Sequence, residues 1–196
     1  MARIGHLLAA TVAATVAWLG AGEAADVKVG FIGVYSGPES GTGLQIQRGV
    51  QLFLKTHPQV PGGHRIEFIE RDTAGPSPDR AKRLALELVT RDKVDILMGL
   101  QYSNEAFAVM DVCRETKVPV LITNAGTASI TEHCPHVARV SFTMWQAGYP
   151  MGEYAAKKMN LKTAAVMYAN YAPGKDSKTA FQEAFEKSGG RVISDV

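Results

Sequence analysis

Cysteine is scarce in this 196-residue chain, with two in all, Cys113 and Cys134, and none ahead of them. A lipid anchor on a processed N-terminal cysteine is therefore excluded. Charge of either sign is not in excess: 21 basic and 19 acidic residues leave a net +2. That balance excludes the strongly basic footprint of a nucleic-acid binder and the polybasic patch of a membrane-surface protein. Aromatic residues make up only 8% of the chain and do not interleave with basic ones, so a stacking platform for single strands is absent. Beyond the first 19 residues no apolar run is long enough to span a bilayer. Gly30-x-x-Gly33 and Gly41-Thr42-Gly43 do not make a dinucleotide fingerprint, and neither a Gly-x-Ser-x-Gly elbow nor a His-Glu-x-x-His pair occurs. His133-Cys134-Pro135-His136 has no second ligand pair at metal spacing, so neither a metal nor a cofactor is expected.

What is present begins with a leader. Arg3 precedes an apolar stretch from Leu7 to Leu19, and Gly22 and Ala24 are small residues at cleavage-site spacing. Residues 1–24 read as a secretory signal peptide, which predicts export and an oxidising compartment. There, Cys113 and Cys134 either bridge or remain two free thiols. A bridge would close a loop of about twenty residues and contribute roughly 3 kcal/mol.

After the leader, strand-like and helix-like segments alternate. Val27 to Val34 predicts a buried strand, and Leu44 to Thr56 a helix with Leu44, Val50, Phe53 and Leu54 on one face. Ile66 and Phe68 alternate with charge from Arg65 to Glu70. Ser77-Pro78 then opens a helix that carries Leu84, Leu88 and Val89. Strands are predicted from Val94 to Gly99 and Val118 to Ile122, with a helix from Ser103 to about Thr116 between them. A strand from Val137 to Phe142 and a crossover at Thr143–Gln146 follow. The chain continues as a helix to about Met159, a strand Ala164–Tyr168, a helix Lys175–Ser188 and a strand from Arg191. The scattered methionines read as core filler. Such alternation means an α/β fold with a doubly wound parallel sheet.

Two of these strands run into small polar loops. One is Gln101-Tyr102-Ser103-Asn104 and the other Thr123-Asn124-Ala125-Gly126-Thr127. Ligands of open α/β sheets sit beyond the carboxyl ends of strands, where helix N-termini present free N–H groups. Two hydroxyl-bearing loops in that position fit an anion. Ser103 and Thr127 could equally be helix caps, and Tyr102 and Tyr171 could flank an apolar ligand or pack.

Val29-Gly30-Phe31-Ile32-Gly33-Val34-Tyr35-Ser36-Gly37-Pro38 resembles the opening strand and loop of type I periplasmic solute-binding proteins. These are the branched-chain amino acid, amide and aromatic-acid receptors of ABC transporters. Glu70-Arg71-Asp72-Thr73, Lys117-Val118-Pro119-Val120, Asn124-Ala125-Gly126-Thr127 and Tyr171-Ala172-Pro173-Gly174-Lys175-Asp176 continue the resemblance in order. It implies a type I periplasmic-binding-protein fold, with lobe I over residues 25–143 and the start of an incomplete lobe II over 144–196. It also implies a non-enzymatic periplasmic receptor that acts as a monomer, holds a small carboxylate and docks on a membrane permease. Carried over residue by residue, the carboxylate grip falls on Ser103, Ala125 and Thr127; at the family's second-lobe aromatic, Pro173 holds the nearest slot and Tyr171 stands two residues away. Thr42 stands where amino-acid receptors often place an aromatic, and the acid that would hold an ammonium group lies beyond Val196. A sensor ectodomain of the same fold and an exported α/β hydrolase are the alternative readings.

Overall fold

The computed structural model describes residues 26–196, so the expected leader lies outside the described residues. Strand β1 (Val27–Gly33) is an inner strand of a parallel sheet, as its buried apolar residues Val29, Phe31 and Ile32 require. A strand buried on both faces needs a near-continuous apolar run rather than alternation. Strand β2 (Ile66–Asp72) pairs on one side of β1 and β3 (Ile96–Gly99) on the other. Strands β4 (Val120–Ile122) and β5 (Val137–Arg139) extend the sheet, giving the order β2-β1-β3-β4-β5. A reversal of direction in strand order lies between β1 and β3, the switch point at which open sheets bind ligands.

Helices α1 (Ser40–Thr56), α2 (Pro78–Thr90) and α3 (Ser103–Thr116) connect these strands. Helix α2 starts at its proline as expected, although the Ser77 side chain makes no capping bond. Leu88 of α2 and Val109, Met110 and Cys113 of α3 pack with Ile32, Leu97 and Ile122 of the sheet in one core. Burial of each large apolar side chain there stabilises the fold by roughly 1.5–3 kcal/mol. The Cys113–Cys134 disulfide ties α3 to the segment that follows a 3-10 turn at Ala128–Glu132.

Strand β3 must end abruptly to open the crevice. Gly99 adopts φ 114°, and a Cβ there would stand 2.2 Å from the Ile32 carbonyl oxygen. Only glycine combines that left-handed backbone with so close an approach. The next amide, Leu100 N–H, donates to the same Ile32 oxygen at 2.9 Å.

A second, two-stranded parallel sheet is made by β6 (Thr163–Val166) and β7 (Arg191–Asp195) with helices α4 (Met144–Lys157) and α5 (Ala172–Lys187). Helices α4 and α5 pack at backbone distance. A Cβ on Gly148 would meet the Ser177 carbonyl oxygen at 2.4 Å, and one on Gly152 the Phe181 carbonyl oxygen at 2.3 Å.

Several boundaries differ from the sequence pattern. Helix α1 begins at Ser40, before its apolar stripe. Strand β5 stops at Arg139: Val140 N–H still donates to the Ile122 carbonyl of β4 at 3.0 Å, but Val140 and Phe142 are exposed despite their apolar character. Thr143–Gln146 is not an open crossover. Thr143 Oγ accepts from Gln146 N–H at 3.2 Å and Gln146 Oε1 accepts from Thr143 N–H at 2.8 Å, a capping box that starts α4. The methionines divide: Met110 is fully buried, whereas Met151, Met159 and Met167 are exposed and fill no core.

Candidate functional site

The loops after β3 and β4 lie side by side because their strands are hydrogen-bonded neighbours. Ser103 is the first residue of the 14-residue helix α3, and its side chain is 2% exposed. It does not cap its own helix. Its Oγ accepts a hydrogen bond from Thr127 N–H at 3.2 Å, which joins the two loops. With a lone pair used in that bond, the Ser103 hydroxyl proton is free to be donated.

Thr127 is 3% exposed, and its Oγ1 is buried with no hydrogen-bond partner. It precedes the 3-10 turn but makes no side-chain capping bond. A buried hydroxyl left unsatisfied costs about 1–3 kcal/mol, so its position calls for a partner. Ala125 is buried, and its N–H is already committed to the Leu100 carbonyl at 3.1 Å. The Ser103 and Thr127 hydroxyls thus keep their protons for an anion near the positive end of α3, and Ser141 Oγ, which also lines the cleft, is likewise buried without a partner.

Tyr102 and Gln101 connect this site to the loop after β1. Tyr102 Oη donates to Glu39 Oε2 at 2.6 Å, and Gln101 Nε2 donates to the Glu39 carbonyl at 3.3 Å. Burial and the Glu39 carboxylate push the Tyr102 phenol up to about 12, so it stays protonated. Beneath the loop, Glu105 is fully buried and accepts from Tyr102 N–H at 3.4 Å and Ser77 N–H at 3.3 Å. Burial holds its carboxyl above the usual range against the pull of those bonds.

A cleft of about 320 Å³ opens here. Tyr102, Ser103 and Asn124 line it from the first sheet's loops, and Tyr171 and Pro173 line it from the start of α5. Tyr171 is 51% exposed, which leaves its ring available to a ligand. Thr42, Phe142 and Met144 also face the cleft. Phe142 and Met144 were not singled out by the sequence pattern, because both lie in the segment that read as strand end and crossover. Ser103, Tyr102 and Tyr171 thus share one cleft, with Thr127 joined to it through Ser103. Ala125 lies buried behind.

Two charged residues that the sequence pattern gave no reason to choose complete the surroundings. Arg139, on β5, donates through Nη2 to the Thr127 carbonyl at 2.7 Å and to the Ala128 carbonyl at 3.4 Å. Burial pulls its guanidinium below the usual range, with the Asp176 charge acting in the opposite direction. Asp176, on α5, accepts from Ala128 N–H at 2.7 Å.

A sequence-family model described as periplasmic binding protein matches residues 26–196. The chain belongs to the periplasmic binding protein family. It is 35% identical over 170 residues to Leu/Ile/Val-binding protein homolog 6 of Brucella abortus, covering 87% of this chain and 43% of that protein. Among solved structures it resembles an ABC-transporter solute-binding protein of Rhodopseudomonas palustris in complex with 4-hydroxybenzoate. The TM-score is 0.82 and the identity 40%, over 87% of this chain and 46% of that one. A solute-binding protein of R. palustris BisB5 in complex with 3,4-dihydroxybenzoic acid matches with TM-score 0.82 and 37% identity, over 87% and 47%. The chain therefore spans under half the length of each of these relatives. Its fold is that of type I periplasmic binding proteins, a family of non-enzymatic solute receptors whose membership implies an extracytoplasmic location. Among the described residues, Ser103 Oγ hydrogen-bonds to the Thr127 amide and to no histidine or carboxylate.

Proposed function

We propose that this chain carries the carboxylate-holding part of a periplasmic receptor for small aromatic acids of the benzoate class, serving an ABC importer. The observation that supports it most is the buried, unpartnered Thr127 hydroxyl beside the free Ser103 proton. A carboxylate satisfies both at once, with charge-assisted bonds shorter and stronger than neutral ones. Tyr102 and Tyr171 give the cleft two aromatic walls, and the benzoate ligands of the R. palustris proteins favour an aromatic body over a branched-chain amino acid.

In this reading residues 1–24 are a leader, residues 25–143 form lobe I, and residues 144–196 begin lobe II. The ligand is taken between the lobes, and the closed receptor, a monomer, docks on a membrane permease. Ser103 and Thr127 donate to the carboxylate, Ala125 shapes the loop between them, and Tyr102 and Tyr171 flank the ring.

A binding panel of benzoate, 4-hydroxybenzoate, leucine and acetate tests the ligand class. Saturable binding of the two benzoates in preference to leucine and acetate supports it. Preference for leucine moves the protein to the branched-chain class, and binding of none of the four overturns the carboxylate reading.

A further inference from the structure

The turn that carries Thr127 is held at two points by the elements of the second sheet. Met144, the first residue of α4, donates its N–H to the Gly126 carbonyl at 2.8 Å. That contact sits at the covalent joint between the two sheets. The second contact comes across the cleft, where Asp176 Oδ2 of α5 accepts from Ala128 N–H at 2.7 Å, over a sequence separation of 48.

The Asp176 contact has a counterpart on the other side of the same peptide group. In a planar trans peptide the C=O and N–H point in opposite directions, and no described peptide is cis. Arg139 takes the carbonyl of the Thr127–Ala128 peptide, and Asp176 takes its amide. A cation at the oxygen and an anion at the hydrogen both align with the peptide dipole, so each contact strengthens the other. Arg139 Nε and Nη1 are buried without partners, so the guanidinium is committed to this turn and to little else. Its charge also offsets the negative charge that Asp176 brings close to an anion site.

We propose that Asp176 is a positioning residue. Its bond across the cleft to the Thr127–Ala128 peptide, opposed by Arg139, sets the Thr127 hydroxyl for the ligand carboxylate when the second unit closes. Met144–Gly126 is then the pivot and Asp176–Ala128 the clasp. The inference rests on the proposed function in taking the ligand to be a carboxylate held between two lobes. Structural capping of the 3-10 turn would also use Asp176, but it would leave ligand kinetics unchanged.

The test uses the protein with Asp176→Ala and Asp176→Asn, and it reads two quantities. Amide exchange at Ala128 needs no ligand. Loss of a bond to a charged group raises it by about tenfold or more in Asp176→Ala, while exchange at Leu97 in the core stays unchanged. Asp176→Asn keeps an acceptor for Ala128 N–H and gives a smaller rise, which separates loss of the charge from loss of the fold. Stopped-flow binding of 4-hydroxybenzoate then shows dissociation about tenfold faster in Asp176→Ala, with association within about twofold of wild type. Ala128 exchange equal to wild type overturns the clasp. So does faster exchange with unaltered dissociation of a benzoate that wild type binds. A wild-type protein that binds no benzoate fails the aromatic-acid reading instead, and does so visibly at the first titration.

Discussion

Ser103 Oγ accepts the Thr127 N–H at 3.2 Å, so the two loops of the site are one hydrogen-bonded unit rather than two adjacent caps. The bond spends the Thr127 amide and a Ser103 lone pair, and it leaves both hydroxyls to a ligand. Ser103→Ala removes the inter-loop bond and, with it, one of the two hydroxyls proposed to hold the ligand. Binding of a carboxylate should weaken by about 1.5–3 kcal/mol, in the range for hydrogen bonds to charged groups. Calorimetry with 4-hydroxybenzoate checks this, and an unchanged affinity would remove Ser103 from the site.

The Cys113–Cys134 bridge closes a loop over a sequence separation of 21 and holds α3 against the segment that follows the site turn. Its reduction should lower unfolding free energy by roughly 3 kcal/mol, mainly by releasing the unfolded chain. Denaturant unfolding with and without reductant measures the difference. Alkylation without reductant should leave the mass unchanged.

Gly152 lets α4 approach α5 to backbone distance, since a Cβ would fall 2.3 Å from the Phe181 oxygen and 2.9 Å from the Phe185 nitrogen. Those are backbone atoms, which cannot turn aside. Gly152→Val should therefore separate the helices and cost about 1–3 kcal/mol or more. A melting temperature equal to wild type would contradict the close packing.

Asp72 predicts the acid limb of stability. Burial pushes its carboxyl up, but Ser36 Oγ at 2.6 Å and the Tyr35 and Ala74 amides at 2.8 Å outweigh that and hold it below the usual range. A carboxyl with a folded value below its unfolded one contributes stability above the unfolded value of about 4. That contribution is lost as pH falls through the folded value. Asp72→Asn should flatten the melting-temperature decline below about pH 4. An acid limb as steep as wild type would assign the decline to other groups.

Much of the fold was legible because burial on both faces writes a continuous apolar run, as in β1. Sequence and structure differ where apolar character and burial part company. Val140 and Phe142 look like strand residues and are exposed, because the pairing ends at the Val140 N–H bond to Ile122 and the chain then turns to reach α4. Gly148 and Gly152 are visible as a small-residue pair one turn apart, but only the position of α5 gives the spacing a purpose. At the site, Ser103 and Thr127 stand in loops that strand ends and family resemblance both mark. Arg139 and Asp176 act on backbone groups remote in sequence, and periodicity carries no trace of such contacts. Asp176 does lie in a motif shared with the family, without anything there to show its partner.

The orphaned Thr127 hydroxyl is the group proposed to hold a ligand carboxylate. Titration calorimetry of 4-hydroxybenzoate into wild type and Thr127→Ala tests it directly. Saturable binding to wild type is expected, with a loss of about 1–3 kcal/mol in the variant and a melting temperature without ligand little changed. Equal affinities in the two proteins would contradict it.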